Sequence, residues 1–185
     1  MFCWLLALVT VAVASVPPPI ATTTAEEAQL SHGEIVIRDH GHGETVGIVN
    51  LSATPKKVLE ELLNLKPRVD EVVPIQDISY VEQSEERIVA QWKVGIFGIH
   101  ASFCIWYETD WDKGWTRFGV DQTRPHDIDH ASGSYQVYTH GTGSRLVYRN
   151  DADPGSKLPN WARELLASRS MRQQISGIKA RAERN

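Results

Sequence analysis

The chain has 185 residues, of which 42% are hydrophobic and 23% are charged, and its formal net charge is −4 at pH 7. This length and composition are typical of one soluble domain with a short extension. Nucleic-acid binding depends on clustered Lys and Arg side chains that neutralise phosphates, so we expect no nucleic-acid partner.

The N-terminus has the pattern of a signal peptide. The stretch 2–14 is apolar and uncharged; it is too short to span a bilayer but suits the core of an export signal. Ala12, Val13 and Ala14 supply the small-x-small pattern of a cleavage site. Because no Lys or Arg precedes the apolar run, an uncleaved membrane anchor is the alternative. We expect residues 1–14 to be removed and the mature protein to be exported to the periplasm or the extracellular space.

Residues 15–33 are rich in Pro, Thr and Ala and show little apolar periodicity. This composition is typical of a flexible linker, so we expect one folded domain at 34–185 with a linker before it. Loss of the signal peptide would remove Cys3 and leave Cys104 without a partner for an intramolecular disulfide. Cys104 lies in a predicted strand, where a lone Cys is usually a small buried apolar residue.

Two strands are predicted at the start of the domain, at 34–38 and 45–51, with a turn at 40–43 between them. The turn has the pattern His-Gly-His-Gly, and its two imidazoles would need a third ligand nearby to hold a metal ion. No such ligand is close in sequence, so we predict a turn and no metal site.

Two helices are predicted to follow the second strand. Thr54 and Pro55 mark the start of an amphipathic helix that ends near Leu65, because a hydroxyl N-cap and a proline in the first turn favour helix initiation. A further short helical turn is predicted at 68–72, before Pro74 stops it.

From residue 75 onward, apolar and polar residues alternate with the period of strands that bury one face. The connections are too short for parallel crossovers, so neighbouring strands must be antiparallel.

A long final helix is predicted to begin near Leu158 and to reach Ala182. The predicted fold class is α+β: a curved antiparallel sheet of about seven strands around a long C-terminal helix, with one or two short helices after the first core strand. The strands of this second part are predicted at 75–83, 87–94, 99–109, 115–122, 133–140 and 145–151.

Four stretches carry a resemblance to a known superfamily. They are 51–58, a strand running into a capped helix; 72–81, a helix-to-strand entry; 133–148, a hairpin with Gly133, Tyr135, Gly143 and Tyr148; and 153–159, the entry into the last helix. With these motifs in order over roughly 44–183, the chain resembles the START-like (SRPBCC, helix-grip) superfamily, most of all its coenzyme-Q-binding and polyketide-cyclase/lipid-transport branch. The extra strand before His40 and the export signal depart from that pattern. The resemblance implies an apolar cavity between sheet and helix, and it leaves the ligand open.

Strand alternation predicts which side chains face this cavity. A packed core without a cavity is the alternative, and the resemblance rather than the periodicity favours a pocket. Hydroxyls of Tyr107, Tyr135 and Tyr148 would orient a mostly apolar ligand. The predicted cavity residues are Ala90, Trp92, Phe103, Ile105, Tyr107, Phe118, Tyr135 and Tyr148 on the strands, and Trp161 and Leu165 on the helix. The opposite face is predicted to meet water through Arg87, Gln91, Lys93, His100, Glu108, Arg117, Asp121, Arg145 and Arg149.

The function that we predict is that of an exported, non-catalytic carrier for a lipid, sterol or quinone-like molecule, without a cofactor. We expect a monomer that makes transient membrane contact. The alternative is a polyketide cyclase or dehydratase, which needs a positioned acid or base in the cavity. If the strand parity were reversed, His100 and Asp121 would be the candidate bases and Arg117 the oxyanion partner.

Overall fold

The structure is a computed structural model that describes residues 16–41, 44–96, 98–153 and 160–184. For residues 96, 99 and 160–167 it describes the backbone only. The predicted signal peptide at 1–14 and the predicted helix entry near Leu158 lie outside the described residues. The elements are α1 (Thr24–Ser31), β1 (Val36–Gly41), β2 (Glu44–Leu51), α2 (Pro55–Leu63), α3 (Arg68–Glu71), β3 (Ile75–Gln83), β4 (Arg87–Ile96), β5 (Ile99–Asp110), β6 (Trp115–Val120), β7 (His130–His140), β8 (Gly143–Asp153) and α4 (Asn160–Ala182).

All eight strands belong to one antiparallel sheet in the order β1-β2-β8-β7-β6-β5-β4-β3. The helices α2, α3 and α4 share a core cluster with the face of the sheet that carries Val49, Ile105 and Tyr135, which we call the inner face. The predicted α+β fold class is confirmed, with eight strands instead of about seven. None of the helices in the described part of the chain is long and apolar enough to cross a membrane.

The start of α2 follows the predicted capping pattern. The Thr54 hydroxyl accepts a hydrogen bond from the Lys57 amide at 3.4 Å, and Pro55 occupies the first turn. After α2, the hydroxyl of Tyr80 on β3 accepts a hydrogen bond of 2.9 Å from the Leu65 amide. This bond ties the connection between α2 and α3 to the sheet, and so positions α3 over the inner face.

Helix α4 contacts β2 through a glycine. A Cβ atom at Gly47 would lie 2.9 Å from the sulfur of Met171 and closer still to Ile175. Met171 and Ile175 are both buried in the core cluster on the inner face, which we call the inner core. Gly47 therefore lets the middle of α4 approach the sheet more closely than any larger residue would allow.

The prediction that 15–33 is a flexible linker is wrong at α1, Thr24–Ser31. Thr23 and Glu26 form a capping box, in which the Thr23 hydroxyl accepts from the Glu26 amide and the Glu26 carboxylate accepts from the Thr23 amide. Leu30 of α1 is buried in a second core cluster on the outer face of the sheet. That cluster consists of Leu30, Val36, Val46, Ile48 and Val147. One end of the outer face is therefore covered by the chain's own N-terminal segment, residues 16–35.

The prediction that Arg145 faces water is also wrong, because the N-terminal segment covers it. Arg145 lies on the outer face of β8 and its side chain is only 4% exposed. Its guanidinium donates to Glu27 of α1, to the Asn50 side chain of β2 and to a ring nitrogen of His140. Strand alternation correctly predicted that Arg145 lies on the outer face. Its side chain is buried because α1 covers that part of the face.

Candidate functional site

The predicted inner-face residues do lie on one face. The register shifts of the sheet fall in β1 and β3, so the alternation is uninterrupted along β4 and β5. Trp161 and Leu165 belong to α4, but their side chains lie outside the described part of the structure. That these residues line a ligand cavity stays a prediction. Ala90, Trp92, Ile105, Tyr107, Phe118, Tyr135 and Tyr148 are buried in the inner core, and Phe103 packs against it half-buried.

Aromatic rings fill the centre of the inner face. Tyr135 and Tyr148 stack at a centroid distance of 4.4 Å, and Phe118 lies 5.3 Å from Tyr135. Tyr107 extends the group, 5.8 Å from Phe118. A Cβ at Gly133 would overlap the Phe118 ring and the Arg149 carbonyl, so the missing side chain there makes room for the ring to reach across to β7 and β8.

A charged residue that the sequence analysis did not select lies against these rings. Arg68, the first residue of α3, is 1% exposed. Its Nη2 donates a hydrogen bond of 2.7 Å to the Leu62 carbonyl. Its Nη1 makes two longer contacts, 3.4 Å to the Tyr135 hydroxyl and 3.3 Å to the Gln174 side-chain oxygen of α4. All three acceptors are neutral.

Two buried donors near this point have no hydrogen-bond partner among the described residues. They are Nε of Arg68 and Nε1 of Trp92. The guanidinium carbon lies 5.8 Å from the Trp92 ring centroid and 5.8 Å from that of Tyr135, so the side chains that carry the two unpaired donors are neighbours. A buried donor without a partner costs stability, and such groups are uncommon in folded proteins.

The surroundings keep the Arg68 guanidinium charged and the phenols of Tyr107 and Tyr148 neutral. Burial by itself lowers the pKa of Arg68, but the tyrosines beside it, led by Tyr135, outweigh burial and hold that pKa above its usual value. Burial raises the pKa of Tyr107 and of Tyr148. At neutral pH the site therefore combines a guanidinium cation with the protonated hydroxyls of Tyr107 and Tyr148, which are not bases.

No local pattern in the sequence indicates that Arg68 is buried. Helix α3 ends at Glu71, and the buried Val72 that follows has an extended backbone, so helical spacing does not place the two side chains on one face. A second contact fixes α3 against α4: Glu71 accepts hydrogen bonds from Arg181, and Gly177 leaves room for the Glu71 carboxylate beside α4. The position of Arg68 thus depends on contacts between residues more than a hundred positions apart.

The residues of the catalytic alternative do not meet in the inner core. His100 is exposed and pairs with the Gln76 side chain at 3.3 Å. Arg117 donates to Glu108 at 3.0 Å. Asp121 accepts from Thr123 and Arg124, and these bonds, the one from Thr123 foremost, lower its pKa. Each of these three side chains is hydrogen-bonded to a neighbouring polar residue outside the inner core.

The inner face is not equally covered along its length. At its β1–β2 end, Met171 and Ile175 of α4 are buried against Gly47, although Ile37 of β1 is only half-buried. At the other end, Val94 of β4 and Ala101 and Phe103 of β5 are half-buried hydrophobic residues packed against the core. We call these three residues the open end of the inner face. Phe103 pairs across the strands with Trp92, so the open end is continuous with the site around Arg68.

A separate groove of about 720 Å³ lies between α2 and the turn that joins β5 to β6. Its walls include Leu59, Trp111 and Val137 together with charged side chains of both signs. None of the predicted cavity residues is among its described lining, so this groove is not the predicted cavity. No group of three or more His, Cys, Asp or Glu side chains in the described ranges is placed to hold a metal ion.

Comparison with known proteins defines the fold class. The chain has the helix-grip fold of START-like proteins, as the sequence motifs predicted. No protein-family model matches the sequence, and no curated protein is significantly similar to it.

Three solved structures illustrate the likeness. A STAR-related lipid transfer protein from Xanthomonas axonopodis is 12% identical with a TM-score of 0.66, over 81% of this chain and 99% of that one. The Zhui aromatase/cyclase from a Streptomyces species is 18% identical with a TM-score of 0.61, over 80% and 95%. A START superfamily protein from Mycobacterium smegmatis is 13% identical with a TM-score of 0.61, over 77% and 98%. At these identities the likeness concerns the fold alone.

Proposed function

We propose that this protein is a non-catalytic carrier that holds a hydrophobic ligand between the inner face of the sheet and α4. The observation that carries the proposal is the open end of the inner face, where Val94, Ala101 and Phe103 leave apolar surface of an aromatic core partly exposed. An apolar face that continues into a buried aromatic cluster suits a lipid-like molecule, because each buried CH₂ contributes about 0.8 kcal/mol. The lipid-transfer protein of the same fold adds support.

Binding of Nile red, a neutral hydrophobic fluorescent dye, tests this function. Ala101 lies on the inner face and its neighbour Ser102 on the outer face of the same strand. We expect the parent protein to bind the dye, Ala101→Trp to weaken binding about tenfold by filling the open end, and Ser102→Trp to leave it unchanged. Mass spectrometry of lipid extracted from gently purified protein would identify the natural ligand. A parent protein that binds no dye and carries no lipid would remove the basis of the proposal.

A second candidate function is a cyclase acting on a polyketide-like substrate in the same place. An aromatase/cyclase of the same fold favours it. A catalytic version needs an acid or base at the ligand, and the inner core offers neutral tyrosines and a cationic Arg68. Turnover of a linear polyketide analogue by the purified protein would decide for the cyclase and against the carrier.

We also propose that the mature protein is exported, that it works as a monomer and that it exchanges ligand by transient membrane contact. The apolar stretch 2–14 and its cleavage pattern support export. The N-terminal segment covers apolar residues of the outer face, which supports a monomer. Intact-mass measurement on protein from the native host should show loss of residues 1–14, and sedimentation should give one chain per particle. Transfer of a fluorescent lipid between vesicles should accelerate when the protein is added.

A further inference from the structure

Arg68 is a buried cation without a carboxylate partner in the described part of the chain. It donates hydrogen bonds to the Leu62 carbonyl, the Tyr135 hydroxyl and the Gln174 amide oxygen, and the Tyr107 hydroxyl also interacts with it. Glu71, three residues further along the chain, is engaged by Arg181. Two other buried arginines, Arg145 and Arg181, differ from Arg68 because each forms an ion pair with a Glu side chain.

A buried charge is costly unless it is paired, and neutral acceptors compensate it only in part. The unpaired Nε of Arg68 and the long contacts of its Nη1 leave much of the guanidinium available. A guanidinium has the fork geometry that matches the two oxygens of a carboxylate. The unpaired Nε1 of Trp92 supplies a further donor in the same cluster.

We propose, on the basis of the carrier function above, that the ligand is an amphipathic molecule with a carboxylate end, which Arg68 and Trp92 bind while its apolar tail extends toward the open end of the inner face. The carboxylate supplies the missing negative charge and accepts hydrogen bonds from Nε of Arg68 and Nε1 of Trp92. Phe103, the cross-strand neighbour of Trp92, marks the direction of the tail. A long-chain fatty acid is the simplest member of this ligand class.

This arrangement selects for charge as well as for apolar length. An alcohol of the same chain length buries the same tail but brings no charge to Arg68. A hydrogen bond to a charged group contributes more to binding than a hydrogen bond between two neutral groups. We therefore expect the acid to bind about tenfold or more tightly than the matched alcohol, since a factor of ten corresponds to about 1.4 kcal/mol.

The test is displacement of Nile red by palmitate and by 1-hexadecanol, which share their chain length and differ at the polar end. In the parent protein we expect palmitate to displace the dye at concentrations about tenfold lower or more. Arg68→Met should abolish this preference and keep the affinity for hexadecanol, because an apolar side chain of similar length replaces the cation. Arg117→Met, which removes an outer-face cation, is the matched control and should keep the preference.

The fold of each variant is checked by thermal unfolding before binding is measured. Arg68→Met replaces a costly buried cation that has no carboxylate partner among the described residues by an apolar side chain of similar length, so the variant should fold. Should it fail to fold, Trp92→Phe provides the second test: it keeps an aromatic ring, removes the unpaired donor and should weaken palmitate binding more than hexadecanol binding.

The outcomes separate the two proposals. Equal displacement by palmitate and hexadecanol in the parent protein would overturn the carboxylate proposal and leave the carrier intact. A preference for palmitate that survives in Arg68→Met would overturn it as well, because the selecting charge would lie elsewhere. Failure of the parent protein to bind dye, palmitate and hexadecanol alike would overturn the carrier function itself.

Discussion

The carboxylate of Glu27 on α1 accepts two hydrogen bonds, each of 2.8 Å, from the guanidinium of Arg145 on β8. This pair joins the N-terminal segment to the outer face of the sheet across 118 positions of sequence. Arg145 is nearly enclosed, whereas 42% of the Glu27 side chain is exposed. The pair therefore lies at the border between the outer core cluster and solvent, where its strength depends on pH.

The first prediction concerns acid stability. Hydrogen bonds from Arg145, and next from Thr22, lower the pKa of Glu27 from 4.5 to about 2. Because this carboxylate has a lowered pKa in the folded protein, its contribution is present above about pH 4.5 and is lost as the pH falls toward 2. Solvent screening limits the contribution to about 1 kcal/mol. Glu27→Gln should cost this amount at pH 6 and very little at pH 2, as measured by urea unfolding.

The exposed Glu86 on the loop between β3 and β4 provides a control for that experiment, since Glu86→Gln should change stability little at either pH. Hydrogen exchange can locate the effect, because the amides of α1 should lose protection in Glu27→Gln before those of β5. An equal loss of stability at pH 2 and pH 6 would contradict an electrostatic origin.

The second prediction tests the contact between α4 and β2. Gly47→Ala places a methyl group against the sulfur of Met171 and the side chain of Ile175. Both neighbours are enclosed in the core and have little room to move, so we expect a loss of roughly 1–3 kcal/mol in the free energy of unfolding. Thermal or urea unfolding measures this loss.

Removal of the obstructing methyl group should relieve the clash. The side-chain atom nearest to the added Cβ is Cδ1 of Ile175, which Ile175→Val deletes. By itself, Ile175→Val should cost roughly 0.5–1.5 kcal/mol. The double variant with Gly47→Ala should be more stable than the sum of the two single losses predicts, and simple additivity would argue against this packing.

The third prediction distinguishes the closed part of the inner face from its open end. Ala90 has no exposed surface and pairs with Tyr80 and Ile105 across the neighbouring strands. Ala90→Phe should therefore overpack the core and cost roughly 1–3 kcal/mol. Ala101→Phe, at the open end, should cost less than half of that in the same unfolding experiment. Equal losses would mean that the whole inner face is solidly packed.

The fourth prediction concerns the catalytic alternative. His100, Arg117 and Asp121 each bind local partners away from the inner core, so their replacement by Ala should leave dye and palmitate affinity within about 0.5 kcal/mol of the parent value. Asp121→Ala loosens the loop that holds Thr123, and a small drop in melting temperature is expected there. A strong loss of ligand binding in any of the three would bring that residue into the site.

Local sequence determined the parts of this protein that depend on near neighbours. The alternation in β4 and β5 placed Trp92, Ile105 and Tyr107 on the buried face, because successive residues of a strand point to opposite sides whatever surrounds them. The cap at Thr54 was equally readable, since its hydrogen bond spans only three residues. The Thr23 and Glu26 capping box was just as local, and its spacing could have revealed α1 within a segment whose composition suggests a linker.

Tertiary structure alone decided which of the charged residues are buried. Arg145 and Arg68 look like surface cations in the sequence, and each is enclosed by an element distant along the chain: Arg145 by α1, and Arg68 by the inner face and α4. The free energy of a charge depends on the solvent and the partners around it, which long-range packing sets and local pattern does not. Arg68, the group on which ligand selection is proposed to depend, became recognisable only once the strands, α3 and α4 had been brought together.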